Sequence, residues 1–505
     1  MRLLVSLLVV SALLVGCVSP ASQVTPASGA LQVATGEVTG NDGVMHLSHE
    51  GIVPMDPAVP RLVGGEFTFP ASATEPSIGA DLKGGVYMTG FGSGGATAAA
   101  GRTTPTIWAT FDHGATMKDV GPKLPTGDGR HANTNDPILF VDPITGRIFM
   151  DDILPLSCGV LSWSDDKGAS WTTNPYSCGN SNLNDHQTIG TAKARAHPTV
   201  GYPDVVYRCV NNVAVTGCAM SFTGGLSFTP QVPVFVMGRD DCSGLTGHLK
   251  AGADGKVYLP KADCPGGPLI KVSEDDGITW TDIKIKTDRE VTNHDLGLAI
   301  DSNNALYATF ESGGMVWFTA SPDGGKTWLP ERNVTAPGVT ATMFNALAVG
   351  APGKVAFAYV GSTIPGGYEE KGMGNGGLAG DLLGQPSLPE WDNATWNAYF
   401  GVITDALDPN APVQSVMAND VRDPLARGLC GGTRCHGMND FIDITVDSEG
   451  RPWASFVDVC TQKCVTDPTV KSDKALGAMM TVREGPNLRM NETMPLASIL
   501  PQPVK

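Results

Sequence analysis

Three octapeptides of one kind recur along the chain: Ser164-Asp165-Asp166-Lys167-Gly168-Ala169-Ser170-Trp171, Ser273-Glu274-Asp275-Asp276-Gly277-Ile278-Thr279-Trp280 and Ser321-Pro322-Asp323-Gly324-Gly325-Lys326-Thr327-Trp328. Two worn copies accompany them, Thr110 to Thr116 and Ser221 to Phe228. Their third positions, 112, 166, 223, 275 and 323, lie 54, 57, 52 and 48 residues apart. Such a period marks an array of similar supersecondary units. Each copy reads as a β-hairpin turn. The Asp accepts backbone N–H bonds and the hydroxyls add local ones. The Gly takes a positive φ that a Cβ would penalise. The Trp packs back between strands.

The octapeptides resemble the Asp-box (BNR) repeat of sialidase-like β-propellers. That resemblance implies an all-β fold: one propeller of four-stranded blades around a central channel. It also implies a structural role for Asp166, Gly168, Trp171, Asp275, Gly277, Trp280, Asp323, Gly325 and Trp328, on the face away from any active site.

A second repeat runs between the boxes, in which an apolar alternation leads to an Asp/Gly turn and an aromatic strand. It is seen at Asp81…Tyr87, Asp142…Phe149, Val205-Val206-Tyr207, Asp254…Tyr258, Asp301…Tyr307, Asn345 to Val360 and Asp447…Trp453. Seven copies predict seven blades, with six as the alternative count. The segment 66–69 is expected to close the ring as an outer strand of the last blade, since closure leaves only short edges.

Residues 1–16 read as a signal peptide: Arg2, an apolar run from Leu3 to Val15, then Gly16-Cys17. Leu14-Val15-Gly16-Cys17 matches the bacterial lipobox, which implies cleavage before Cys17 and its lipidation. The Ser/Thr/Pro/Ala-rich stretch that follows suits a tether, so residues 17–63 are assigned to lipidated Cys and linker. The propeller is expected over 64–487, with a Gly-rich insertion at 363–396 and a tail at 488–505. This predicts an exported protein, at the cell surface or in the periplasm, that meets the membrane only through its N-terminal lipid. A formal net charge of −17 argues against nucleic acid as a partner.

Ten further cysteines fall into close neighbours: Cys158 with Cys178, Cys209 with Cys218, Cys242 with Cys264, Cys430 with Cys435, and Cys460 with Cys464. An even count outside the cytoplasm favours disulfides. The rival is a metal site from Cys430, Cys435, Cys460 and Cys464 with His436, but two Cys-x-x-Cys knuckles are lacking. No metal and no cofactor are assigned.

In a propeller the starts of the innermost strands face one another at the channel mouth. Those positions carry Glu75, Asp136, His186, His248, His294, Asp295, Asn345 and Asp440, and three of the chain's nine histidines are among them. Such a ring suits a cation or a sugar, and it is also what any wet channel mouth presents. The reading adopted is a glycan- or protein-binding module at the cell envelope. The alternative is a glycoside hydrolase, with Asp136 and Asp440 as the candidate carboxylates. The sialidase resemblance implies an arginine triad and a late Tyr nucleophile. Here no Arg-Ile-Pro string occurs and no Tyr follows Tyr399, so the standard catalytic set is missing.

Overall fold

The computed structural model describes residues 45–46, 63–68, 74–91, 106–114, 116–122, 137–154, 158–174, 185–212, 214–292, 295–363, 394–428, 438, 441–473, 475–490 and 493–494. All lie in the compact unit Gln32–Lys505. Strands form seven antiparallel sheets, each the core of one blade. The innermost strands are Thr74–Ala80, Ile138–Val141, Asp185–Lys193, Lys250–Ala251, Gly297–Ile300, Ala341–Val349 and Asp443–Val446, in blades one to seven. Each touches the next, and the seventh touches the first, so the wheel is closed. Blade seven takes its fourth strand from the other end of the chain: Val63–Thr68 pairs with Leu476–Pro486, setting Glu66 opposite Met480 and Phe67 opposite Met479. Seven blades and the closing strand both match the sequence reading.

The second strands of the blades, such as Asp204–Asn211 and Val355–Ser362, are buried at every residue. Neighbouring blades cover both of their faces, which is why Val355–Ser362 reads as a near-continuous apolar run. Each blade-to-blade seam holds its own apolar cluster. One joins Tyr207, Met220 and Phe235 of blade three to Leu249, Val257 and Leu259 of blade four.

Two kinds of turn carry the repeat. In the first, between strands one and two, an Asp caps the turn and an aromatic side chain ties it down. Asp301 Oδ1 accepts the N–H groups of Asn303 and Ala305 while its Oδ2 accepts the Tyr307 hydroxyl at 2.6 Å. Asp81 does the same with Lys83, Gly85 and Tyr87, and Asp447 with Glu449, Arg451 and Trp453.

In the second, between strands three and four, the octapeptides of blades two, four and five share one hydrogen-bond set. Oδ1 of Asp166, Asp275 and Asp323 accepts the N–H four residues on, at 2.8 Å each time. Oδ2 accepts the hydroxyl of that same residue at 2.6, 2.6 and 2.7 Å. Donation from the Thr327 N–H and hydroxyl holds Asp323 down at about 2. The worn copy in blade one keeps the pattern through Asp112. Gly168, Gly277 and Gly325 have φ of +85°, +86° and +91°, and a Cβ on any of them would meet the preceding blade within 2.8 Å. Trp171, Trp280 and Trp328 pack onto the seams between blades one and two, three and four, and four and five. The three tryptophans thus occupy matching seats.

Disulfides join Cys209 to Cys218 across adjacent strands of blade three, Cys242 to Cys264, and Cys460 to Cys464. The last pair takes two thiols out of the alternative metal set. Cys178, Cys430 and Cys435 lie outside the described residues, as do the side chain of Cys158, Cys17 and nearly all of the insertion. Two-residue strands at Met45–His46 and Thr493–Met494 extend blade seven. Leu488 is buried against blade six.

Candidate ligand site at the channel mouth

The inner strands all begin at one end of the channel, and hydrogen bonds lace their starts together from blade to blade. The Leu139 N–H donates to Ser77 Oγ, and the Gln187 side-chain amide donates to the Asp151 carbonyl. The Leu249 N–H donates to Thr188 Oγ1, Asn345 Nδ2 to the Asp295 carbonyl, and the Ile78 N–H to Asp443 Oδ2. Groups fixed this way lose little freedom on meeting a ligand.

Within the ring, blades three, four and five bring His186, His248 and Asp295 together. One ligand atom from each lies within 4.8 Å of the others. His186 Nε2 is 3.2 Å from Asp295 Oδ2. The two imidazoles are 6.0 Å apart, and both meet Phe441 edge-on at 4.9 and 5.3 Å. Asn345 from blade six reaches in through its amide, and its Oδ1 is buried without a hydrogen-bond partner among the described residues. Five of the eight mouth residues expected from sequence, Glu75, His186, His248, Asp295 and Asn345, are therefore described. All five stand at or beside the beginnings of inner strands, and four of them cluster. Asp136, His294 and Asp440 lie outside the described residues.

Sequence reasoning missed Asp443 and Phe441. Asp443 Oδ1 faces His248 Nδ1 at 3.5 Å. Burial opposes its ionisation, but the facing His248 imidazole, the Lys250 charge and the Ile444 N–H outweigh that and hold its carboxyl below the usual range. The expected start of the last inner strand fell three residues early, at Asp440. The alternation Ile442-Asp443-Ile444-Thr445-Val446 was the available signal.

Three inner strands are bulged at the mouth, at Thr74/Ser77, Asp185/Thr188 and Met343/Asn345. The bulges hold Glu75, His186 and Phe344 at φ of +48°, +43° and +55°. Non-glycine residues there cost about 1–3 kcal/mol each and cluster at functional sites, where a bulge re-aims a side chain.

Just below the mouth, Arg208 of blade three donates from Nε to Asp151 Oδ2 of blade two at 2.6 Å, with both residues buried. Burial pushes Asp151 up despite the Arg208 charge. The far end of the channel is different. A cavity of about 410 Å³ opens there, lined by apolar side chains such as Ala80, Val141 and Ile300 and also by Asp142, Lys193 and Arg489.

No family model matches the chain, and no curated protein is similar to it. Solved structures are similar in fold. A protein of unknown function from Dyadobacter fermentans is 12% identical, with 88% of this chain and 100% of that one covered at a TM-score of 0.39. An ulvan lyase bound to a -[GlcA(1-4)Rha3S]- unit is 9% identical, with 85% and 97% covered at 0.44. The intramolecular trans-sialidase from Ruminococcus gnavus, in complex with oseltamivir carboxylate, is 13% identical, with 85% and 95% covered at 0.38. At these identities and TM-scores the likeness carries nothing about ligand or chemistry.

Proposed function

We propose that this chain is an exported, lipid-anchored propeller of the Asp-box, sialidase-like kind that binds a glycan at its channel mouth. The observation that carries the reading is the convergence of His186, His248, Asp295, Asn345 and Asp443 from five blades onto one pre-laced opening. Carboxylates accept from sugar hydroxyls, and imidazole and amide groups both donate and accept, so this donor and acceptor mix suits a polyhydroxylated ligand. The lipobox-like string Leu14-Val15-Gly16-Cys17 supports placement at the envelope; Cys17→Ala should move the protein from the membrane fraction to the soluble one.

The test of binding is a panel of immobilised envelope and host glycans probed with the mature chain. Retention of at least one glycan, weakened tenfold or more by Asn345→Ala and by Asp295→Asn, is the expected result. Retention of none, or retention that neither change alters, overturns the reading and leaves a protein-docking role in its place.

A second reading, glycan cleavage, draws on Asp443 and Asp295, two carboxylates that flank His248 and His186. It predicts new reducing ends from a bound glycan, abolished by Asp443→Asn. In either case no sialic acid should be released from a fluorogenic sialoside, because the sequence has no Arg-Ile-Pro string and no Tyr after Tyr399.

A further inference from the structure

We infer that His186, His248 and Asp295 hold a divalent first-row transition ion, zinc above all, at the channel mouth. Two imidazoles and one carboxylate form a donor set that suits zinc and its neighbours better than calcium or magnesium, which take oxygen. Each ligand comes from a different blade, and the inter-blade hydrogen bonds already fix where those blades begin. A tetrahedral zinc with bonds of about 2.0–2.1 Å needs donor atoms roughly 3.3–3.5 Å apart. The donor atoms lie within 4.8 Å of one another, and the His186–Asp295 pair at 3.2 Å already has close to that spacing.

The surroundings of His248 favour an ion over simple hydrogen bonding. Among the described residues its Nε2 is buried with no hydrogen-bond partner, which is costly for an imidazole. Its Nδ1 faces the Asp443 carboxylate. A carboxylate behind one imidazole nitrogen keeps the proton there and frees the lone pair of the other nitrogen for a metal. A cavity of about 20 Å³ adjoins two of the three ligands, His248 and Asp295, together with Asn345 and Asp443, and is large enough for one water-sized group. Lys250 also lines this cavity, and the two carboxylates outweigh its single charge. Phe441 wedges both rings from the side. Three protein ligands leave a fourth position open, the arrangement that lets a metal meet a water or a ligand hydroxyl.

The experiment uses the full mature chain, stripped with EDTA and reloaded with zinc, with metal counted by plasma mass spectrometry. About one zinc per chain is expected, with affinity down at least a hundredfold in His186→Ala and in His248→Ala. Asp443→Asn, which touches no metal directly, should weaken zinc by about ten- to a hundredfold. Cobalt in place of zinc should give visible absorption bands in the parent chain and in Asp443→Asn, and none in His248→Ala. Near-ultraviolet circular dichroism checks that each variant is folded. Zinc at background level in the parent chain, or zinc held equally by both histidine variants, overturns the site. Zinc bound without any glycan retained would leave this inference standing and sink the function proposed above; glycan retained by metal-stripped protein with no zinc site would do the reverse.

Discussion

The two faces of the wheel follow opposite rules. On the face that carries the turns, blades do the same thing again and again: an Asp takes the N–H four residues on, a Gly lies against the previous blade, and a Trp sits on the seam. Side chains then stitch neighbours together. Arg147 bonds to Asp165 in its own blade and to the Gly224 carbonyl in the next. The mouth has no such repetition. Successive blades offer His186, His248, Asp295, Asn345 and Asp443, and no two have the same surroundings. Repetition suits a load shared evenly around a ring. A site needs unlike groups at one place, so it must break the repeat.

The largest effect expected from this contrast lies just inside the mouth. Arg208→Met leaves Asp151 buried without its partner, and breaking a buried pair in this way costs about 3–5 kcal/mol. Urea unfolding should show it as a fall in midpoint with little change in slope. A loss under about 1 kcal/mol would mean that the pair is wet and that the mouth is looser than drawn. Next come the box tryptophans. Trp171→Ala and Trp280→Ala each remove a half-buried indole from a seam, at about 2–3 kcal/mol. Equality is the sharper test: if the turn face repeats in energy as well as in shape, the two losses agree within about 0.5 kcal/mol.

The same contrast explains what could be read in advance. The wheel was legible because Asp166, Asp275 and Asp323, like Asp81, Asp301 and Asp447, recur with their turn partners at fixed offsets. The blade count and the closing strand at Val63–Thr68 followed. At the mouth only the strand starts could be located, which sufficed to name His186, His248, Asp295 and Asn345 but not to say that they cluster. Asp443 was missed because the expected strand starts at Asp440, although the alternation from Ile442 to Val446 points to a later start; pairing with Ser455 fixes the register. The buried Arg208–Asp151 pair was also invisible. It joins residues 57 apart in sequence, on strands of different blades.

A smaller effect concerns pH, and it separates blades six and seven from the box-bearing blades. Burial and the neighbouring Asp420 charge push Asp423 up to about 7, and burial together with Asp423 raises Asp458. With folded values above unfolded ones, the stability these groups contribute is complete below about pH 4 and is lost as pH rises through about 7. Asp423→Asn should therefore raise the melting temperature at pH 8 and leave it nearly unchanged at pH 4. The box carboxylates run the other way. Asp275 is held low by Thr279 and Ser273 against its partial burial, so its contribution is present above about pH 4 and fades in acid. A melting profile in Asp423→Asn that keeps the full decline between pH 4 and 8 would place the cause elsewhere.

The smallest effect tests whether the worn copy in blade three is worn in energy. Thr223 stands where the other turns have Asp. Its hydroxyl accepts the Ser227 N–H at 3.0 Å and lies 2.9 Å from Ser227 Oγ, so one oxygen does what two carboxylate oxygens do elsewhere. The rest of the turn is intact. The Gly225 N–H reaches Ser221 Oγ at 2.8 Å, and Gly225 keeps a φ of +101°. Thr223→Asp should therefore drop into a prepared seat, giving the Ser227 N–H and hydroxyl separate acceptors and adding about 0.5–1 kcal/mol at neutral pH. Because a carboxylate supplies the gain, the gain should vanish below about pH 3. A variant that is neutral or destabilised at pH 7 would mean that Thr223 already satisfies the turn, and that the repeat is a repeat of shape whose copies have each settled on their own chemistry.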